Sequence, residues 1–177
     1  MQRLLLFVLL AGGFCFGSDQ ISVCVAQPNG PEAKNWKLQS PIAKRIEEDA
    51  SARQLDVTAP LLTSDTEKHA KQEAANGKNC SYILLTTLES NRDQVFGTLN
   101  PDPSKRSQGD INRSVNATPA GLNLKYKLIT PDGKKVAAAT VPMLVKENPT
   151  ASDFEEAGRK LIETVASQVL GAVPAAK

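Results

Sequence analysis

Nine residues, Cys80 to Leu88, constrain the fold of this chain more than any others. They read CSYILLTTL. Tyr82, Ile83, Leu84, Leu85 and Leu88 are apolar at both parities of a strand, and Thr86 and Thr87 are β-branched. A strand with two apolar faces belongs inside a sheet that is covered on both sides. Helices elsewhere in the chain must therefore pack on that sheet.

The preceding segments supply them. Gln20 to Ala26 alternates Ile21, Val23 and Val25 with Ser22, Cys24 and Ala26, and nearly every member tolerates burial. It reads as another interior strand. Pro28, Gly30 and Pro31 break it, and the polar stretch to Gln39 holds the only tryptophan, Trp36, expected to cap the edge of the core. A first helix is expected to open with Ser40 as N-cap and Pro41 at its first position and to end near Gln54. Its apolar face carries Ile42, Ile46 and Ala50, and its polar face Lys44, Arg45, Glu47 and Glu48. A short strand follows, Leu55 to Thr58. A second helix opens on a capping box, Ser64 with Glu67, and runs to Asn76, with Gly77 as the left-handed end. Its apolar face is small, Ala70, Ala74 and Ala75.

From about 90 to 121 the composition shifts to Asn, Asp, Ser, Gly and Pro, with a small apolar cluster of Val95, Phe96 and Leu99. This stretch reads as a mobile loop within one domain. Leu122 to Thr130 alternates apolar Leu122, Leu124, Tyr126 and Leu128 with polar Asn123, Lys125 and Lys127. The turn signal Pro131-Asp132-Gly133 returns the chain as Lys134 to Val145, an antiparallel hairpin with one wet face. Pro142 marks that returning strand as an edge or bulge. The last helix is expected to be capped by Ser152 with Glu155. Phe154, Ala157, Leu161, Ile162, Val165 and Val169 form its apolar stripe, and Gly171 and Pro174 end it.

The order β-α-β-α-β-β-β-α predicts an α/β fold with a mixed five-stranded sheet. Right-handed crossovers make the first three strands parallel, and the C-terminal hairpin adds two antiparallel strands. The expected strand order is 2-1-3-4-5, with the helices packed on the sheet. That order makes the first and third strands neighbours and brings Cys24 near Cys80. The pair is a candidate disulfide.

The first 17 residues read as a cleavable signal peptide. Arg3 supplies the positive start, and Leu4 to Phe16 is an uncharged apolar run of 13 residues. Cys15 and Gly17 then place cleavage between Gly17 and Ser18. The run falls short of the roughly 20 residues that a membrane-spanning helix needs. Residues 18–177 form the single α/β domain, and localisation is expected to be periplasmic or extracellular. Without the leader, 20 basic side chains stand against 19 acidic ones. That balance provides no steering toward nucleic acid.

No catalytic, cofactor-binding or metal-binding residue stands out. The only histidine, His69, falls on the exposed side of a surface helix and has no ligand partners at metal spacing. There is no nucleophile-elbow pattern and no phosphate-cradling glycine loop. The pairs Glu47-Glu48 and Glu155-Glu156 sit on solvent faces of helices. Asn79, Asn112 and Asn116 open glycosylation triplets, and the first of them begins a core strand.

The runs ISVCVAQPNG, AANGKNCSYILLTTLES and LKYKLITPDGKKVAAATV, with the closing helix, carry a family resemblance. Together they resemble the small α/β envelope domain of the curli-secretion-channel proteins, the TolB N-terminal domain and the lipoprotein activators of penicillin-binding proteins. The likeness spans about Ile21 to Leu170 and follows element order and pattern. The first strand departs from it, with VCVAQPNG in place of a Pro-Phe ending, and Cys15, preceded by Phe14 rather than a small residue, is not expected to carry a lipid anchor. The resemblance implies an exported, non-catalytic envelope protein that binds a protein partner or serves assembly. Two further readings stay open: a small-ligand carrier, with its ligand near Trp36 or at the ends of the parallel strands, and a hydrolase with an unfamiliar site.

Overall fold

The structure, a computed structural model, describes residues 20–90, 122–143 and 150–173. The leader, the cleavage position at Gly17 and Ser18, and nearly all of the 90–121 loop lie outside the described residues, as do Asn112 and Asn116.

Strand β1, Ile21–Val25, leads through a short 3₁₀ turn, Ala33–Asn35, to helix α1, Gln39–Ala52. Strand β2 is Val57–Thr58, and helix α2, Glu67–Glu73, ends in a widened turn over Ala74–Lys78. Strands β3, Tyr82–Ser90, β4, Leu122–Ile129, and β5, Lys135–Met143, precede helix α3, Ala151–Ala172. The sheet has five strands in the order β2-β1-β3-β4-β5. β1 pairs in parallel with β2 and β3, and β3, β4 and β5 are antiparallel. This is the predicted α/β sheet.

The sheet has unequal faces. On one, Val23, Val25, Leu84, Leu88, Leu124, Leu128 and Met143 meet Ile42 and Ile46 of α1 and Leu161, Val165 and Val169 of α3. On the other, Cys24, Ala26, Ile83 and Ile129 are covered by Leu62, by Ala70 of α2 and by Ala74 of the widened turn that follows it. Only alanines separate α2 from the sheet, so this second core is thin. Here the chain adds a covalent tie, a disulfide between Cys24 and Cys80 with Cα atoms 5.6 Å apart. Beyond α2 the second face is polar. Lys125 pairs with Glu89, and Lys127 reaches Glu67 on α2, each at 2.7 Å.

The helix starts differ from expectation. α1 begins two residues early, with Leu38 rather than Ser40 at the N-cap and Pro41 at the third helical position. A proline still fits there, because the first-turn N–H groups have no partner inside the helix. Gln39 sets this start by donating its Nε2 to the carbonyls of Val25 and Leu62, at 2.9 and 2.6 Å. The capping box at α2 does not form, and Thr66 is the N-cap. Ser64 instead donates its N–H and hydroxyl to the carboxylate of Glu73. α2 also stops at Glu73 before the widened turn, where Gly77 has φ +119° and Asn79 φ +45°. α3 is capped two residues earlier than Ser152, by a reciprocal box between Thr150 and Asp153. Starting there includes Ala151 and Ser152 in the helix. The second strand is shorter than Leu55 to Thr58, because Leu55 closes the end of α1 by donating to Ala50, at 2.9 Å.

Candidate functional site

The described residues assemble no acid–base or metal constellation. His69 is exposed, and no group of three or more His, Cys, Asp or Glu side chains among the described residues could hold a metal ion. Glu73, one turn from His69, is committed elsewhere. Desolvation pushes its pKa up, but hydrogen bonds from the backbone and hydroxyls of Thr63 and Ser64 outweigh that push and hold it below the usual carboxylate value. The Lys160 partner lowers Glu156, and the Thr130 hydroxyl lowers Asp132. Carboxylates held in their charged form are poor general acids at neutral pH. Glu48 pairs with Lys44, and Glu47 accepts from the N–H of Ala59 at 2.8 Å. Burial pushes the Tyr126 hydroxyl up.

A groove does assemble, where β1 hands the chain to α1. After Ala26 the loop is stitched to β3. The N–H of Asn29 donates to Thr86 at 2.9 Å, and the N–H of Leu88 donates to Asn29 at 2.8 Å. Gly30 follows at φ +109°, and a Cβ there would collide with the Leu88 carbonyl. Only glycine fits such a close backbone approach at positive φ. Ala33 then bonds back to Gly30 and Trp36 to Ala33, at 3.2 and 3.3 Å. This chain of bonds fixes the backbone that presents Trp36.

The indole lies on α3. Gly158 is buried beneath it, and a Cβ at Gly158 would stand 3.4 Å from the ring. Two depressions meet at Trp36, sharing Lys37, Leu38 and Pro41. One, of about 620 Å³, opens at the carboxyl end of β1 between Gln27, Gly30, Ser40 and Asp65. The other, of about 400 Å³, runs between α1 and α3 along Phe154 and Ile162. Phe154, expected in the buried stripe of α3, is 37% exposed at the wall of this second lobe. It precedes the point where α3 closes onto the sheet at Ala157.

Most charges along the groove are already paired. Lys44 meets Glu48, Arg45 meets Asp49 and Glu163, and Arg159 meets Glu163. Lys34 and Lys37 are exposed on either side of Trp36 and form no ion pair among the described residues.

Of the residues singled out in the sequence, Cys24 and Cys80 come together, as a disulfide beneath α2. His69 stands apart on α2, and Trp36 sits at the core edge, where it also divides the groove. Lys34, Lys37 and Phe154 complete the groove without having been singled out as site residues. A signal for the first two was present: an aromatic flanked by lysines, AKNWK, in a loop bounded by Gly30-Pro31 and Pro41.

No protein-family model matches the chain, and no curated protein sequence does. Among solved structures it is similar to a PelC dodecamer from Paraburkholderia phytofirmans, at 16% identity and a TM-score of 0.51, over 82% of this chain and 84% of that one. A point variant of that PelC gives 17% identity and a TM-score of 0.49 over 83% and 86% of the two chains. A homolog of a neuraminyllactose-binding hemagglutinin from Helicobacter pylori gives 8% identity and a TM-score of 0.42 over 89% and 84%. None of these three structures carries the name of the envelope group that the sequence pattern resembles. At such identities the PelC likeness is one of fold.

Proposed function

We propose that this chain is an exported, non-catalytic module of the bacterial envelope, periplasmic in location, that works by holding another protein. The observation that carries the reading is the groove through Trp36. It joins two lobes across a fixed aromatic and exposes Phe154 beside it, while most of the charges along it are tied in ion pairs. Aromatic anchors in a shaped depression are what protein interfaces concentrate. A buried disulfide fits an oxidising compartment, and a leader-like N-terminus fits export. The resemblance to envelope assembly domains points the same way. Affinity capture from a cross-linked native envelope tests it, with the intact chain run beside Phe154→Glu. Phe154 is exposed, so the substitution spares the core. The reading expects a partner held by the intact chain and lost from the variant. Equal recovery by both refutes the groove as its seat.

A further inference from the structure

The chemistry of the partner can be taken one step further, resting on the protein-binding reading above. We propose that the groove takes an extended acidic segment of its partner, with a bulky apolar side chain seated between α1 and α3 and carboxylates placed against Lys34 and Lys37.

Three observations carry this. The two lobes are joined end to end through Trp36, Lys37, Leu38 and Pro41, so the site is elongated rather than a single closed chamber. An extended chain fills such a shape better than a compact small molecule does. In the lobe along Phe154 and Ile162, Lys44, Arg45 and Arg159 are tied to Glu48, Asp49 and Glu163, and only Lys37 and Glu155 of its lining charges are outside these pairs. Its floor of Trp36, Phe154 and Ile162 is thus left for one large apolar side chain. At the other lobe the cations are unspent. Lys34 and Lys37 form no ion pair among the described residues, and the one carboxylate lining that lobe, Asp65, lies across it in the segment before α2. The lobe is therefore net positive, and complementarity selects an acidic occupant. Rim charges of this kind act more on partner choice and association than on total affinity.

Trp36 is the only tryptophan in the chain, so its fluorescence reports on the groove alone. The probes are acetyl-Glu-Asp-Phe-Leu-Glu-amide, its counterpart acetyl-Lys-Arg-Phe-Leu-Lys-amide, and dodecanoate as a small anionic amphiphile. The expected result is a saturable change in Trp36 emission with the acidic peptide only. The combined variant Lys34→Glu/Lys37→Glu should weaken that binding about tenfold, as expected for reversing two exposed charge contacts. Both lysines are exposed, and an unchanged circular dichroism spectrum checks the fold. Equal response to the basic peptide, response to dodecanoate alone, no response to any probe, or undiminished binding by the variant each overturn the proposal. The envelope capture separates the two levels. A partner retained by Lys34→Glu/Lys37→Glu sinks the acidic-segment proposal and leaves protein binding standing, whereas no partner on the intact chain sinks protein binding itself.

Discussion

Reducing the Cys24–Cys80 bridge should cost the domain about 4 kcal/mol. The bridge closes an interval of 56 residues. On the chain-entropy model, opening a loop of that length frees the unfolded chain by roughly 14 cal/mol/K, or about 4 kcal/mol at room temperature. The folded state has little to offset this. The bridge lies in the thinner core, where α2 contributes Ala70, the turn after it Ala74, and neither adds a larger buried side chain. With a urea slope of about 2 kcal/mol/M, the unfolding midpoint should fall by about 2 M. Equilibrium urea unfolding with and without a thiol reductant reads this directly, because reduction keeps both sulfur atoms in place. Cys24→Ala/Cys80→Ala should lose about 1 kcal/mol more, since Cys24 is 0% and Cys80 8% exposed and alanine leaves a void. A reduced protein that unfolds at the same urea concentration as the oxidised one would refute the reasoning.

Other substitutions probe the remaining links. Gly30→Ala should destabilise by about 2 kcal/mol or more, from positive φ and from collision with the Leu88 carbonyl, read as a drop in thermal midpoint. Gly158→Ala, in ordinary contact with Trp36, should be neutral or stabilising by about 0.5–1 kcal/mol, whereas Gly158→Leu should displace the indole and change its emission. Thr150→Ala should cost about 1 kcal/mol by removing the α3 cap, checked by urea unfolding. Glu73 is held below its ordinary value of 4.5, so its contribution is complete above that value and lost as pH falls below it through the folded value. Comparing denaturation midpoints at neutral pH and at about pH 3, Glu73→Gln should lose part of the parent's acid-side decline.

The sheet was legible because its signals are local and repeat along each strand. Apolar residues at both parities marked β3 as interior, and strict alternation marked β4 as half wet. Element order with right-handed crossovers did the rest, including the neighbourhood of Cys24 and Cys80. The caps were less legible because competing partners decide them. Ser64 stands three residues before Glu67 as a capping box requires, yet Glu73 at the far end of α2 takes its hydroxyl at 2.8 Å. At α3, Thr150 with Asp153 and Ser152 with Glu155 offer overlapping versions of one pattern, and the earlier pair is used. The groove was the least legible feature. Trp36 and Gly158 are distant in sequence, and nothing local to either indicates that the indole lies on that glycine. Phe154 follows the spacing of the α3 stripe but sits where the helix has not yet reached the sheet, so periodicity alone assigned it to the core.

Site-specific photo-cross-linking would test most directly the central claim, that this chain works by holding a protein at the Trp36 groove. A photoreactive phenylalanine analogue would replace Phe154 on the groove wall in one sample and Val136 on the edge strand in another, both side chains being exposed at 37% and 36%. The account predicts a discrete adduct with an envelope protein from position 154 and none from position 136. An adduct from position 136 alone, or none from either position in native envelopes, would contradict it.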